Sequence, residues 1–198
     1  MSRLPRTFYA RPGTEVAPEL LNKVLVAPGV RGRIVEVEAY MGADDPGSHA
    51  YRGPTPRTEV MFGRPGHLYV YFTYGMHWCA NVVCDVEGSP SAVLLRAVTP
   101  LDGIDVMRER RPKAKRDADL TNGPAKLASA FGLDGQHDGL DLQRNRFGVR
   151  IDDDETSPPA DPAQGVRVGL THGADIPWRW AVPDCPDVSR PRPTMPSA

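Results

Sequence analysis

Proline and glycine interrupt this chain so often that no long helix fits between them: 21 prolines and 19 glycines are spread over 198 residues. Proline removes a backbone donor and fixes φ, while glycine frees it, so both mark turns. The chain must therefore be built from short elements joined by many turns. The clearest element is Arg33-Ile34-Val35-Glu36-Val37-Glu38-Ala39-Tyr40, which alternates as a strand does. Val35, Val37 and Ala39 fall on one face, which reads as core. Glu36, Glu38 and Tyr40 fall on the other, with Ile34 as the apolar exception. On an edge strand such acids are merely solvated. At the mouth of a cleft, two carboxylates and a phenol are chemical groups.

At 40% hydrophobic and 25% charged, the composition is that of an ordinary globular protein, and 198 residues suffice for one sizeable core. The formal net charge of -1 excludes a uniformly basic nucleic-acid binder but not a local basic face. Cys79, Cys84 and Cys185 lack zinc-knuckle spacing, and Cys79 and Cys84 read as small buried hydrophobes in a reducing cytoplasm. No apolar run reaches membrane-spanning length, and there is no hydrophobic signal core at the N-terminus. The expectation is a cytoplasmic protein without membrane contact, nucleoid-associated if bacterial.

Taken in order, the pattern predicts an irregular lead-in and a short helix capped by Thr14, with Leu20, Leu21 and Val24 at helical spacing. Pro28-Gly29 stops it. After the 33–40 strand comes a loop over 41–67, long enough to suggest function. It carries His49 and the basic trio Arg52, Arg57 and Arg64. Leu68 to Thr73 is an aromatic strand with Tyr69, Tyr71 and Thr73 on one face, and Tyr74-Gly75 turns it at an exposed tip. Strands are expected over 77–84 and 91–98. The second holds Arg96 inside an apolar run, where it must pair with an acid or point into a cleft. A helix starting from Asp102 leads into the most basic stretch, Arg108 to Arg116, with Arg110 and Arg111. Asn122-Gly123-Pro124 opens another helix, ended by Gly132, and its free amides form a ready anion site. Strands over 166–170 and from Trp178 complete a single domain, 1–185. Residues 186–198 read as a proline-rich flexible tail.

Glu38, Tyr40, His49, Tyr71, Tyr74, Asn81 and Arg96 form a constellation. It has no ligand-spaced cysteine–histidine pair, no phosphate-cradling glycine loop and no nucleophile elbow. An aromatic slot with one carboxylate suits a planar, electron-poor ligand such as a damaged, cationic nucleobase.

The ordered series is recognisable. It comprises Arg33 to Tyr40 with Gly42 and His49; Thr55-Pro56-Arg57; Met61-Phe62; Pro65 to Tyr71; Tyr74-Gly75-Met76; Asn81; Val93 to Ala97; and Asn122-Gly123-Pro124 with Lys126-Leu127. It resembles the alkyladenine (3-methyladenine, methylpurine) DNA glycosylase family from about residue 15 to Trp180. The resemblance implies a monofunctional enzyme of base excision repair that flips alkylated or deaminated purines from duplex DNA and hydrolyses the N-glycosidic bond. It also implies that Glu38 activates water, that Arg96 helps position that water and a phosphate, and that Tyr40, His49 and Tyr71 hold the base. By the same resemblance, Asn81 is expected to crowd the place of the guanine amino group, and Tyr74 to wedge into the duplex. The implied fold is α+β, a single mixed domain with a curved, mostly antiparallel sheet flanked by short helices. Double-stranded DNA carrying damaged purines is the expected partner of a monomer, with no cofactor and no metal. Arg52, Arg57, Arg110 and Arg111 are the candidates for backbone contact. Two other readings compete: a non-catalytic nucleic-acid-binding module stacking bases on the tyrosines, and a nucleoside hydrolase.

Overall fold

The computed structural model describes residues 1–194. The strands are β1 (Ser2–Arg3), β2 (Val24–Ala27), β3 (Val30–Tyr40), β4 (Leu68–Thr73), β5 (His77–Cys84), β6 (Ser91–Asp102), β7 (Arg150–Asp153), β8 (Ala163–Gly165) and β9 (Arg179–Ala181). The α-helices are α1 (Arg6–Tyr9), α2 (Gly13–Leu20), α3 (Ile104–Arg110) and α4 (Pro124–Phe131). None exceeds eight residues, as the density of proline and glycine demands. The strands pair antiparallel in one curled sheet, in the order β1-β7-β2-β3-β6-β5-β4. Beyond the end of β2, β9 takes over the same edge of β3, pairing with Glu36 to Glu38 and carrying β8 outside it. The fold is α+β, as the resemblance implies.

The sheet has two differently covered faces. On one, Val37, Ala39, Leu68, Val70, Val82, Val93 and Leu95 bury against Val16 and Leu20 of α2 and Leu127 and Phe131 of α4. Each such side chain contributes about 1.5–3 kcal/mol, so this face holds the fold together. On the other, Tyr69, Val83 and Ala92 pack against Ala50 and Met61 of the 41–67 segment. There, too, Val35, Ala97 and Ala181 pack against Val188. The second face is roofed by loops, not helices, and polar groups can reach in between them.

Several local expectations change. Asp102 does not cap α3; it is the last residue of β6, and Gly103 precedes the helix without a side-chain cap. Thr14 does not cap α2, which starts after Pro12; its first amide, Gly13 N–H, donates to Ser91 Oγ at 2.9 Å. Val24 belongs to β2, and Pro28-Gly29 is the bend of a β2–β3 hairpin. Residues 166–170 alternate as a strand would, yet β8 ends at Gly165, because their polar backbone is spent on the site below. The segment expected to fray from 186 buries Val188 and Ser189. Ser189 N–H donates to Glu36 Oε2 at 2.8 Å, and Pro191 O accepts from Arg179 at 2.7 Å. Buried charges recruit this proline-rich stretch into the domain.

Candidate active site

The site begins with two compensating irregularities in the β3–β6 ladder. Pairing runs Ala39↔Val93, Glu38↔Leu94, Val37↔Leu95, then Glu36↔Ala97 and Ile34↔Val98. Arg96 is therefore extra on β6 and Val35 is extra on β3. Such bulges re-aim side chains and are enriched beside functional sites. Here they explain the Ile34 exception. Ile34 joins Val37 and Ala39 in the main core, while Val35 packs with Ala97 on the opposite face. Arg96 meets both acids of β3 on that same face.

Neither acid is solvated; Glu36 and Glu38 are both 0% exposed. Glu36 Oε1 accepts from Arg96 Nε at 2.9 Å, Arg179 Nε at 2.6 Å and Ser189 Oγ at 2.9 Å. Burial pushes the Glu36 carboxyl up, but Arg96 and Arg179 outweigh it, and its pKa lies below the usual carboxylate value. For Arg96, burial opposes the charge, while Glu38 and Glu36 more than restore it. Two carboxylates and two guanidiniums thus balance inside the protein, each hydrogen-bonded, which is the condition for burying them. Arg96 both pairs with acids and faces a cavity.

Glu38 is placed differently. Its Oε1 accepts from Val168 N–H at 2.9 Å and lies 3.1 Å from Arg96 Nη1 in an ion pair, and its Oε2 accepts from Tyr40 Oη at 2.8 Å. A carboxylate offers about four acceptor positions. Two are hydrogen-bonded and the Arg96 ion pair covers Oε1 further, which leaves one on Oε2. Burial first, and then the Glu38 charge, push the Tyr40 phenol well above its usual pKa, so it remains a donor.

A cavity of about 180 Å³ is lined by Tyr40, Arg96 and Val168, the three residues that hold Glu38, while Glu38 itself lies behind them and is not in the lining. Tyr40, His49, Tyr71, Asn81 and Arg96 all line it, so the structure brings together the pocket residues that were read from sequence. His49 packs edge-on to Tyr71 with centroids 4.6 Å apart. Its Nδ1 lies 3.0 Å from Tyr69 Oη, a partner that sequence did not single out. The residue as a whole is exposed, but its ring is partly desolvated against these tyrosines. That burial, and then the Arg57 charge, lower its pKa and favour the neutral imidazole. Asn81 Nδ2 donates to Tyr69 O at 3.1 Å, leaving its Oδ1 for the cavity.

Tyr74 stands at the mouth of the same cavity, 78% exposed. Its φ is 50° and that of Gly75 is 65°, the left-handed pair of a type I′ hairpin turn. Glycine suits that conformation; tyrosine is held there against preference. Phe72 and Trp78 pack across the hairpin, with centroids 4.8 Å apart, and stiffen its stem.

The four candidate arginines separate. Arg57 sits over the Tyr71 ring, 5.3 Å from its centroid, at the rim of the cavity. Arg52 is exposed on the same loop. Arg110 Nη1 donates to Ala130 O at 3.0 Å, which ties α3 to α4. Arg111 is half-buried and lines a second groove with His77, Trp78, Gly123 and Lys126, beside the Tyr74 hairpin. Sequence reading missed Asp45, Arg167, Arg179 and Ser189. Each is a polar residue in a loop or short strand, with no local pattern to mark it.

The methylpurine-DNA glycosylase family model matches residues 7–186. Three bacterial proteins carry the name "Putative 3-methyladenine DNA glycosylase". One from Burkholderia lata is 57% identical over 189 residues, covering 95% of this chain and 91% of the relative. One from Rhodopseudomonas palustris is 48% identical over 190 residues, covering 96% and 89%. One from Streptomyces avermitilis is 47% identical over 192 residues, covering 94% and 90%. Match and geometry agree, and this chain belongs to the methylpurine-DNA glycosylase family.

Proposed function

We infer that this protein is a monofunctional DNA glycosylase that flips alkylated or deaminated purines out of duplex DNA and releases them by hydrolysis. The observation that carries the reading is the setting of Glu38. It is a buried carboxylate with one acceptor position on Oε2 left open, held by Tyr40, Val168 and Arg96, all three of which line the aromatic cavity. In this reading a water binds the free Oε2 position. Glu38 takes its proton as the water oxygen attacks the sugar C1′, and the C1′–N bond pair leaves with the purine. The sugar becomes oxocarbenium-like on the way, and the negative Glu38 offsets that charge. A cationic alkylated purine leaves as a neutral base, so a single carboxylate suffices for that lesion; a neutral deaminated purine leaves as an anion and takes up a proton as it goes.

Tyr40, His49 and Tyr71 would hold the planar base, and Tyr74 would fill the gap left in the stack. Flipping costs a few kcal/mol, part of which an inserted ring repays. No lysine lines the cavity, which supports simple hydrolysis over an imine-forming lyase step. The phosphate backbone would meet the rim at Arg52 and Arg57 and the groove at Arg111, with Arg110 supporting α3.

The test compares base release from duplexes carrying single defined lesions with release from the free nucleosides. Release from duplex alone is the expected result. Equal release from nucleoside would favour a nucleoside hydrolase, and tight binding without release would favour a non-catalytic module.

A further inference from the structure

A second buried ion pair lies behind the catalytic wall, and the chemistry above makes no use of it. Arg167 and Asp45 are both fully buried. Arg167 Nη1 donates to Asp45 Oδ2 at 2.5 Å and Nη2 donates to Asp45 Oδ1 at 2.7 Å, a bidentate pair. The remaining bonds reach four backbone groups in three segments. Arg167 Nη1 also donates to Ala39 O at 3.0 Å, between Glu38 and Tyr40 on β3. Nη2 donates to Gly173 O at 3.1 Å. Asp45 accepts from Met41 N–H at 3.1 Å and Gly47 N–H at 2.9 Å, in the loop that carries His49. The guanidinium lies 4.7 Å from the Tyr40 ring centroid and 5.4 Å from that of Trp178. Trp178 O in turn accepts from Ala39 N–H at 2.9 Å.

Arg167 precedes Val168, whose N–H holds Glu38 Oε1. The pair therefore fixes the amide on Glu38, the back of Tyr40 and the base of the His49 loop through one buried contact. Close approach is built in. A Cβ on Gly47 would lie 2.9 Å from Arg167 Nη2 and 2.8 Å from Leu170 Cδ1. An apolar pair of similar volume would cost less to bury. It would not fix four backbone groups at hydrogen-bond distance.

We propose that Asp45 and Arg167 are positioning residues: their ion pair clamps the two cavity loops onto β3 and holds Val168 N–H, Tyr40 and His49 in register with Glu38. The proposal deepens the glycosylase reading and rests on it. Neither residue lines the cavity; both act through Tyr40, Gly47 and Val168, which do. Losing the clamp should slow the chemical step more than it weakens DNA binding, because misplacing reacting groups by about 1 Å can cost a hundredfold in rate.

The experiment uses the full chain, Arg167→Lys, Asp45→Asn and Gly47→Ala. Thermal unfolding, hydrogen exchange at the Val168 amide, affinity for a hypoxanthine-containing duplex and single-turnover excision are measured for each. Arg167→Lys keeps the charge and loses the fork; Asp45→Asn keeps the shape and loses the charge. The expected result is a cooperatively folded protein with faster exchange at Val168. Its excision rate should fall by about tenfold or more while its affinity changes little. Excision and Val168 exchange at wild-type levels in folded variants would overturn the proposal. So would a loss confined to unfolding temperature, since that is what a purely structural pair would give. If Arg167→Lys does not fold, Gly47→Ala, which wedges the clamp without removing a charge, decides on the same readouts. If the wild type itself releases no base, the glycosylase reading fails. The clamp then stands or falls on exchange at Val168 alone.

Discussion

Replacing Tyr74 with asparagine should make the protein more stable and less able to act on duplex DNA. Tyr74 is held at φ 50° in a turn whose second residue, Gly75, is also left-handed. A side chain with a Cβ pays about 1–2 kcal/mol for that region, and asparagine pays least among non-glycine residues. Little packing is lost on the other side of the balance, since the tyrosine is 78% exposed. A gain of about 1 kcal/mol raises the unfolding midpoint by about 2–4 °C in a chain of this size. The functional loss follows from stacking. An aromatic against a base contributes about 1–3 kcal/mol, and its loss slows excision from duplex by about 5- to 150-fold. Calorimetry and single-turnover release on a matched hypoxanthine duplex give both numbers from one preparation. A midpoint that falls would refute the strain argument, and an unchanged rate would remove Tyr74 from the duplex. Opposite movement of the two is the expected signature of strain kept for function.

Three further outcomes follow from the buried network. Glu36→Gln leaves Arg96 and Arg179 without their shared charge, and should cost about 3–5 kcal/mol in urea unfolding at neutral pH. Because the Glu36 pKa is lowered on folding, its contribution is present above the usual carboxylate value of about 4.3 and is lost as pH falls through the lowered value, so the gap between wild type and variant should narrow on acidification. Ending the chain at Asp187 removes Ser189 from Glu36, Arg96 and Arg179, and should destabilise the protein and slow excision together, whereas a dispensable tail would change neither. Asn81→Ser should raise excision of methylated guanines relative to hypoxanthine by opening space beside the Oδ1 position; a fixed ratio in an active variant would make Asn81 a purely structural partner of Tyr69 O.

What was legible in the sequence follows the range of the interactions. Period-two alternation placed Glu38 and Tyr40 on one face of β3 and separated Tyr69 and Tyr71 from Leu68 and Val70, because strand geometry is local. The Gly123-Pro124 start and Gly132 end of α4 were legible for the same reason. Paired bulges were not, since a bulge is a property of two strands; Ile34 was the only trace of it. Residues 166–170 carry a strand-like pattern, but Val168 N–H and the Arg167 guanidinium are taken by Glu38 and Asp45, about 130 and 122 positions away in the chain. Nothing near Asp45 or Arg167 announces that pairing. The stretch from 186 to 191 was misjudged because proline content reports on backbone freedom and not on whether a buried carboxylate waits for Ser189; residues 195–198 of that expected tail lie outside the described residues.

The most direct test of the central claim is the single-turnover excision rate of Glu38→Gln on a hypoxanthine duplex, measured with its affinity for the same duplex. Glutamine fits the same hydrogen-bonded positions: its oxygen can accept from Val168 N–H, and its amide can donate to Tyr40 Oη. Shape is kept, while the base and its negative charge are removed together, so folding is checked alongside the rate. The rate should fall by about a hundredfold or more while the duplex is still bound. A folded variant that binds the duplex and excises at the wild-type rate would contradict the account.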